Sequence, residues 1–255
     1  MVVDHQYVHG YLWRRVFTRK LRPMIARTDI LTIAPQSRAP AEIVESYLLS
    51  HYPTSLIDVR TLRDGRRLTL RPVLPQDNRL LADLINRLSE RSRAQRFPNA
   101  QQPASPDELA SLSCIDYRRH LALVVGIQEN GRERLVAEAR YLIDEDGHSA
   151  EFALVVDDEW QRSGIATWAM FALSRAAGAA GVGWLHCDML ADNEPMLALM
   201  RRCRFCCTVD RSDRAIVHAE TRPRALNAWR PARAASLLGW AQRWLGAGSP
   251  AVTQY

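Results

Sequence analysis

Two periodicities divide the apolar residues of this chain. Between residues 78 and 91, Leu80, Leu81, Leu84, Ile85 and Leu88 recur at three- and four-residue steps, which predicts an amphipathic helix with Asp77 placed to cap it. Helices are expected in the same way over residues 165–177 and 193–203. Strand-length apolar runs occupy residues 121–127, 135–143, 152–156 and 182–189, with shorter ones at 205–209 and 215–219. Within residues 56–73, two strand-like runs flank Arg63-Asp64-Gly65-Arg66, and an Asp-Gly pair favours a hairpin because both positions tolerate positive φ. Ser105-Pro106-Asp107-Glu108 signals a short helix reaching Leu112. The resulting order, β-α-α-β-β-β-α-β-α-β-β, is that of an α/β protein.

Three segments follow from this pattern: an N-terminal extension over residues 1–60, a domain over 61–221 and a C-terminal tail over 222–255. The extension holds a basic amphipathic stretch, with Val8, Tyr11, Leu12 and Val16 on one side, and a second helical stretch at 41–49. In the tail, Ala234, Leu237, Leu238, Ala241, Trp244 and Leu245 form an apolar stripe beside Arg230, Arg233 and Arg243. Such a stripe packs on its own domain or on a second subunit, which would make a homo-oligomer. Lying on an anionic membrane is the less favoured alternative.

The stretch from Glu151 to Ala166 carries the chemistry. An apolar strand ends at Val156, acidic residues follow, and Gln161-Arg162-Ser163-Gly164-Ile165-Ala166 opens straight into a helix. The first amides of a helix lack intrahelical partners and sit at the positive end of its dipole, so they suit a phosphate group. Gly164 lets backbone approach such a ligand closely.

That loop has the Gln/Arg-x-x-Gly-x-Gly/Ala form and resembles the pyrophosphate loop of the GNAT superfamily of acyl-CoA-dependent N-acyltransferases. Further motifs are similar to the bacterial protein-lysine acetyltransferase branch, whose members modify acyl-CoA synthetases. They are Arg71-Pro72, Leu88-Ser-x-x-Ser-Arg-x-x-Arg-Phe97, Ile115-Asp-Tyr117, Ala150-Glu-Phe-Ala153, Asp158-x-Trp-Gln161 and Asp192-Asn-x-Pro-Met196. The resemblance covers residues 62–219. It implies the GNAT fold, a central mixed, mostly antiparallel twisted sheet that splays at the acyl-CoA site between flanking helices. It also implies acetyl-CoA as co-substrate, a protein lysine as acceptor, and direct attack within a ternary complex.

Lysine with a pKa of ~10.4 is about 0.1% neutral near pH 7.4, so deprotonation at the site matters to rate. By the resemblance Glu151 is the general base, with Glu138 on the preceding strand as its rival. Asp157, Asp158 and Glu159 read as a solvated turn or an acidic approach for a cationic acceptor. Leu154, Val155 and Val156 are expected to offer backbone to the pantetheine arm, residues Gln161, Arg162, Ser163, Gly164, Ile165 and Ala166 to hold the pyrophosphate, and Asn193 to contact the cofactor or cap its helix. Two departures from the family pattern stand out. Met200 occupies the position of a thiolate-protonating tyrosine, and Arg204 that of a glycine.

Charge and composition narrow the partners. The chain has 255 residues and a formal charge of +6. Residues 1–27 hold six basic and one acidic side chain and residues 222–255 five and none, so the ends carry +10 and residues 28–221 carry −4. With an acidic middle and no reading motif, nucleic acid is not expected as a partner. Arg14, Arg15, Arg19 and Lys20 interrupt any signal-peptide core, and no run reaches the ~20 apolar residues of a membrane span, so a cytoplasmic location is expected. Five cysteines, three bunched at Cys203, Cys206 and Cys207, lack a second ligand pair at zinc-finger spacing. They read as buried thiols at a helix-to-strand junction, and no metal is expected. A small-amine acetyltransferase and a silent acyl-CoA-binding module are the competing functions.

Overall fold

The computed structural model describes residues 51–62, 64–97 and 112–223. The extension before residue 51, the tail stripe and the Ser105 capping signal lie outside the described residues.

Eight strands form one sheet in the order β1-β2-β3-β4-β5-β6-β8-β7. They are β1 (Asp58–Thr61), β2 (Arg67–Pro72), β3 (His120–Glu129), β4 (Arg132–Ile143), β5 (Ser149–Val156), β6 (Trp184–Leu190), β7 (Cys206–Val209) and β8 (Ile216–Thr221). Every neighbouring pair is antiparallel except β5 with β6. The exception follows from connectivity: a parallel pair needs a crossover of a dozen or more residues, and helix α3 (Ile165–Ala179) supplies it. Only Ser149↔Trp184, Ala150↔Leu185 and Glu151↔His186 are in register. Beyond Glu151 the two strands run on to Val156 and Leu190 unpaired with each other, so the sheet splays from that residue.

Alternation along the strands separates two cores. On one face Met170, Leu173 and Ala177 of α3 share a cluster with Ala137, Ala139, Tyr141 and Phe152. On the other, Leu81 and Leu84 of α1 (Asn78–Arg87) join Ala122, Val124 and Val155. Burying a Leu or Phe side chain contributes roughly 1.5–3 kcal/mol, so these two faces clamp the sheet and with it the splay.

Two expectations need correction. The helix expected over 78–91 ends at Arg87; Leu88 and Ser89 are extended, and α2 (Glu90–Arg96) starts afresh with the Ser89 side chain accepting from the Ser92 amide. The Asp77 carboxylate does not cap α1. It accepts from the Leu74 amide at 2.7 Å and from the Arg71 guanidinium at 2.6 and 2.9 Å, bracing the turn that leads into the helix.

Candidate active site

Where β5 and β6 part, a cavity of about 840 Å³ opens. Its walls come from both strands, from α2, from the loop before α3 and from the start of α4 (Glu194–Arg202). This lies in the size range of small-molecule clefts, roughly 300–1,000 Å³.

The loop at one end is rigidly built. Trp160 is buried in a single 3-10 turn, Asp158–Trp160. Arg162 (φ 58°) and Gly164 (φ 88°) both take the left-handed region, which turns the chain sharply into α3. Gly164 is the N-cap, and no side chain caps the helix. The Ser163 hydroxyl donates back to the Trp160 carbonyl at 2.5 Å and Ile165 is buried in the core. What this helix end offers the cleft is therefore backbone amide, the donor set that suits an anionic oxygen.

Asp158 ties this loop to α2. Its carboxylate accepts from the Ser89 backbone amide (2.8 Å), the Ser89 hydroxyl (2.9 Å) and the Ser92 hydroxyl (2.6 Å), and more loosely from Gln161 Nε2 at 3.2 Å. Burial alone would raise its pKa, but the hydroxyl and amide donors outweigh that and hold it below the usual carboxylate range. Asp157 is 2% exposed and bound to Arg87 and Arg134 at 3.1 and 3.0 Å. The expected solvated turn thus holds one buried carboxylate, Asp157, and one exposed but tied down by Ser89 and Ser92, Asp158; Glu159 is exposed and bound to Arg134.

The opposite wall is a buried charged cluster. Glu138, the rival base, accepts from Arg96 Nη2 at 3.1 Å and from Arg140 Nε, and is 3% exposed. Burial pushes its carboxyl up, yet the Arg140 and Arg96 charges prevail and hold it low. A carboxylate so committed is a structural anion. Arg140 Nη1 also donates to His120 Nε2 at 3.2 Å. Because guanidinium cannot accept, the His120 proton sits on Nδ1. Burial first, and Arg140 second, depress this imidazole well below its ordinary value.

Glu151 lies between these ends, half-buried, facing the cavity at the last paired position of β5. It is close enough to act electrostatically on Arg96 and on the buried Cys187 thiol. Leu154, Val155, Val156, Gln161, Arg162, Gly164, Ala166 and Asn193 line the same cavity, whereas Ser163 and Ile165 do not. Asn193 caps α4, accepting from the Met196 amide at 3.2 Å. Met200 is fully buried and away from the cleft lining. Cys203 is buried, but Cys206 and Cys207 are exposed on β7, so the bunched thiols are not a buried set.

Sequence reasoning missed Arg96, His120 and Arg140. The signal was present: Glu138 and Arg140 stand two apart in the otherwise apolar stretch of residues 135–140, and that spacing puts both on one face.

A parallel pair that splays at one carboxylate, beside a cleft walled in part by a helix N-terminus with no side-chain cap, marks an α/β fold with one built cleft. The chain belongs to the GNAT acetyltransferase family: the family model described as "Acetyltransferase (GNAT) domain" matches residues 67–206. Acetyltransferase PA5475 of Pseudomonas aeruginosa is 35% identical over 107 residues, covering 42% of this chain and 58% of that protein. Acetyltransferase Pat of Mycolicibacterium smegmatis is 31% identical over 144 residues, covering 55% of this chain and 42% of that protein. The chain thus spans about half the length of these relatives. Among solved structures, the GNAT domain of S. lividans PAT superposes with a TM-score of 0.60 at 21% identity, covering 67% of this chain and 99% of that one. RimL, a ribosomal L7/L12 alpha-N-protein acetyltransferase in complex with coenzyme A, gives 0.50 at 16% identity, covering 61% and 93%. These two are likenesses of fold.

Proposed function

We propose that this chain transfers the acetyl group of acetyl-CoA to an amine, the side chain of a protein lysine, with Glu151 as general base. The observation that carries the reading is the position of Glu151, at the point where the sheet splays and inside the cavity that the uncapped α3 N-terminus closes. The co-substrate fits the residues present. The loop from Gln161 to Ala166, of which Gln161, Arg162, Gly164 and Ala166 line the cavity, suits a pyrophosphate at the α3 N-terminus, with Arg162 adding charge, and the edge of β5 from Leu154 to Val156 that is unpaired with β6 offers hydrogen-bonding groups to an extended amide-bearing arm. Asn193 lines the cavity and can meet the ligand through atoms its capping bond leaves over.

In the reaction the amine nitrogen bonds to the acyl carbon, the carbon–sulfur bond breaks, thiolate leaves and the amine proton passes to Glu151. General-base assistance of this kind contributes roughly 10²–10⁴ in rate. The likeness to Pat, together with the motifs at Leu88–Phe97 and Asp158–Gln161, supports a protein acceptor.

Incubation with labelled acetyl-CoA and cell lysate, followed by peptide mapping, tests the acceptor. Label on protein lysines is expected; label confined to a polyamine or other small amine overturns the protein-substrate reading. Glu151→Gln is expected to bind acetyl-CoA within about twofold of wild type and to lose at least ~100-fold in kcat. Thiol release at the wild-type rate would remove Glu151 as base.

A further inference from the structure

The register partner of Glu151 on β6 is His186. Partnered residues on neighbouring strands project from the same face, with strands ~4.8 Å apart. The His186 ring is held from two sides: Nε2 lies 2.7 Å from Asp144 Oδ2, and the ring stands 5.8 Å from that of His218, tilted by 30°. Asp144, at the β4–β5 turn, is anchored through its main chain, its amide donating to the Ser149 carbonyl and its carbonyl accepting from Arg119 Nη2, both at 2.8 Å. A carboxylate only accepts, so the proton between the pair sits on Nε2 of the neutral ring and Nδ1 is the basic nitrogen. Among the described residues, the charged neighbours of the imidazole include Glu220, its register partner on β8, and Asp188, two residues along and 2.7 Å from His218 Nδ1. The His186 side chain is 24% exposed, so solvent reaches the ring from the strand position beside Glu151.

We propose that His186, oriented by Asp144, takes the acceptor's proton from Glu151 and releases it to solvent. The inference rests on Glu151 being the base. When the new nitrogen–carbon bond has formed and thiolate has left, the proton sits on the Glu151 carboxyl. It passes to Nδ1 of His186, giving an imidazolium that loses a proton to water, and Glu151 is again a carboxylate for the next turnover. His186 acts through Glu151 and meets no substrate atom. It is a positioning residue that resets the base.

The test uses the full chain with acetyl-CoA and poly-L-lysine as the acceptor probe, reading thiol release. His186→Gln should lower kcat about 10- to 50-fold and leave the acetyl-CoA Kd from calorimetry unchanged, and 50 mM imidazole in the buffer should restore at least a third of the lost rate. Asp144→Asn should move kcat in the same direction by about 3- to 10-fold, also with partial rescue. A His186→Gln rate within twofold of wild type, or a loss that imidazole does not restore, would overturn the relay. The parent reading fails by a separate result, full activity in Glu151→Gln or no thiol release by wild type. Lost activity in Glu151→Gln beside an unaffected His186→Gln would leave the base standing and sink the relay alone.

Discussion

Arg204 carries a backbone strain that can be measured. It follows α4 at φ 60°, exposed, with its amide donating to the Arg201 carbonyl while Phe205 donates to Met200. That is the left-handed helix terminus at which glycine is usual, and a side chain there costs roughly 1 kcal/mol. Arg204→Gly is therefore expected to stabilise the fold by about 0.5–1 kcal/mol, because the larger unfolded-state entropy of glycine offsets part of the relief. Thermal melting should rise by about 1–4 °C; a fall would show that the arginine side chain contributes a contact of its own. Arg162, at φ 58° and lining the cavity, is the instructive contrast. Arg162→Gly should relieve similar strain yet weaken acetyl-CoA binding several-fold, a loss calorimetry would detect. The first of these positions was legible in the sequence, since Arg204 replaces a family glycine. The second was legible only as a charge, because nothing in residue type announces a left-handed arginine. That Glu138 is bound by Arg96 and Arg140 was not legible for a related reason: which arginines reach a carboxylate is set across the fold.

At the scale of elements, the central strands could be read to within about three residues at each end, because strands buried on both faces stand out as continuous apolar runs. The break between α1 and α2 could not. The apolar stripe of α1 continues in phase to Leu88, which is buried at 3% exposure, so periodicity alone runs straight through the turn. What ends the helix is the capping demand of α2, met by Ser89, and the pull of Asp158 from 69 residues away. Asp158 thereby couples α2 to the loop that should hold the pyrophosphate. Asp158→Ala is expected to raise the KM for acetyl-CoA about 5- to 20-fold and to change kcat less than twofold, since the lost bonds fix the loop and touch no reacting atom. Steady-state kinetics at saturating acceptor would decide it, and a fall in kcat with KM unchanged would place Asp158 in the chemistry.

For the whole molecule, the buried His120–Arg140–Glu138–Arg96 wall links stability to pH. His120 is fully buried, and desolvation together with Arg140 depresses its pKa well below the ordinary ~6.5. With the folded value below the unfolded one, the unfolded chain binds the extra proton. Stability is therefore full above pH ~6.5 and declines as pH falls from there toward the folded value, by at most about 1.4 kcal/mol per pH unit for one site. The depressed carboxyls Glu138 and Asp146, the latter at about 2, act in the same direction but only below pH ~4.5, where the unfolded chain protonates its carboxylates. Between pH 6.5 and 5 the histidine should dominate. His120→Gln keeps an acceptor for Arg140 Nη1 and removes the titration, so its melting temperature should change little between pH 7 and 5 while that of wild type falls by several degrees. Equal slopes for the two proteins would mean that the imidazole is not held neutral in the fold, and the tautomer assigned to His120 would fall with it.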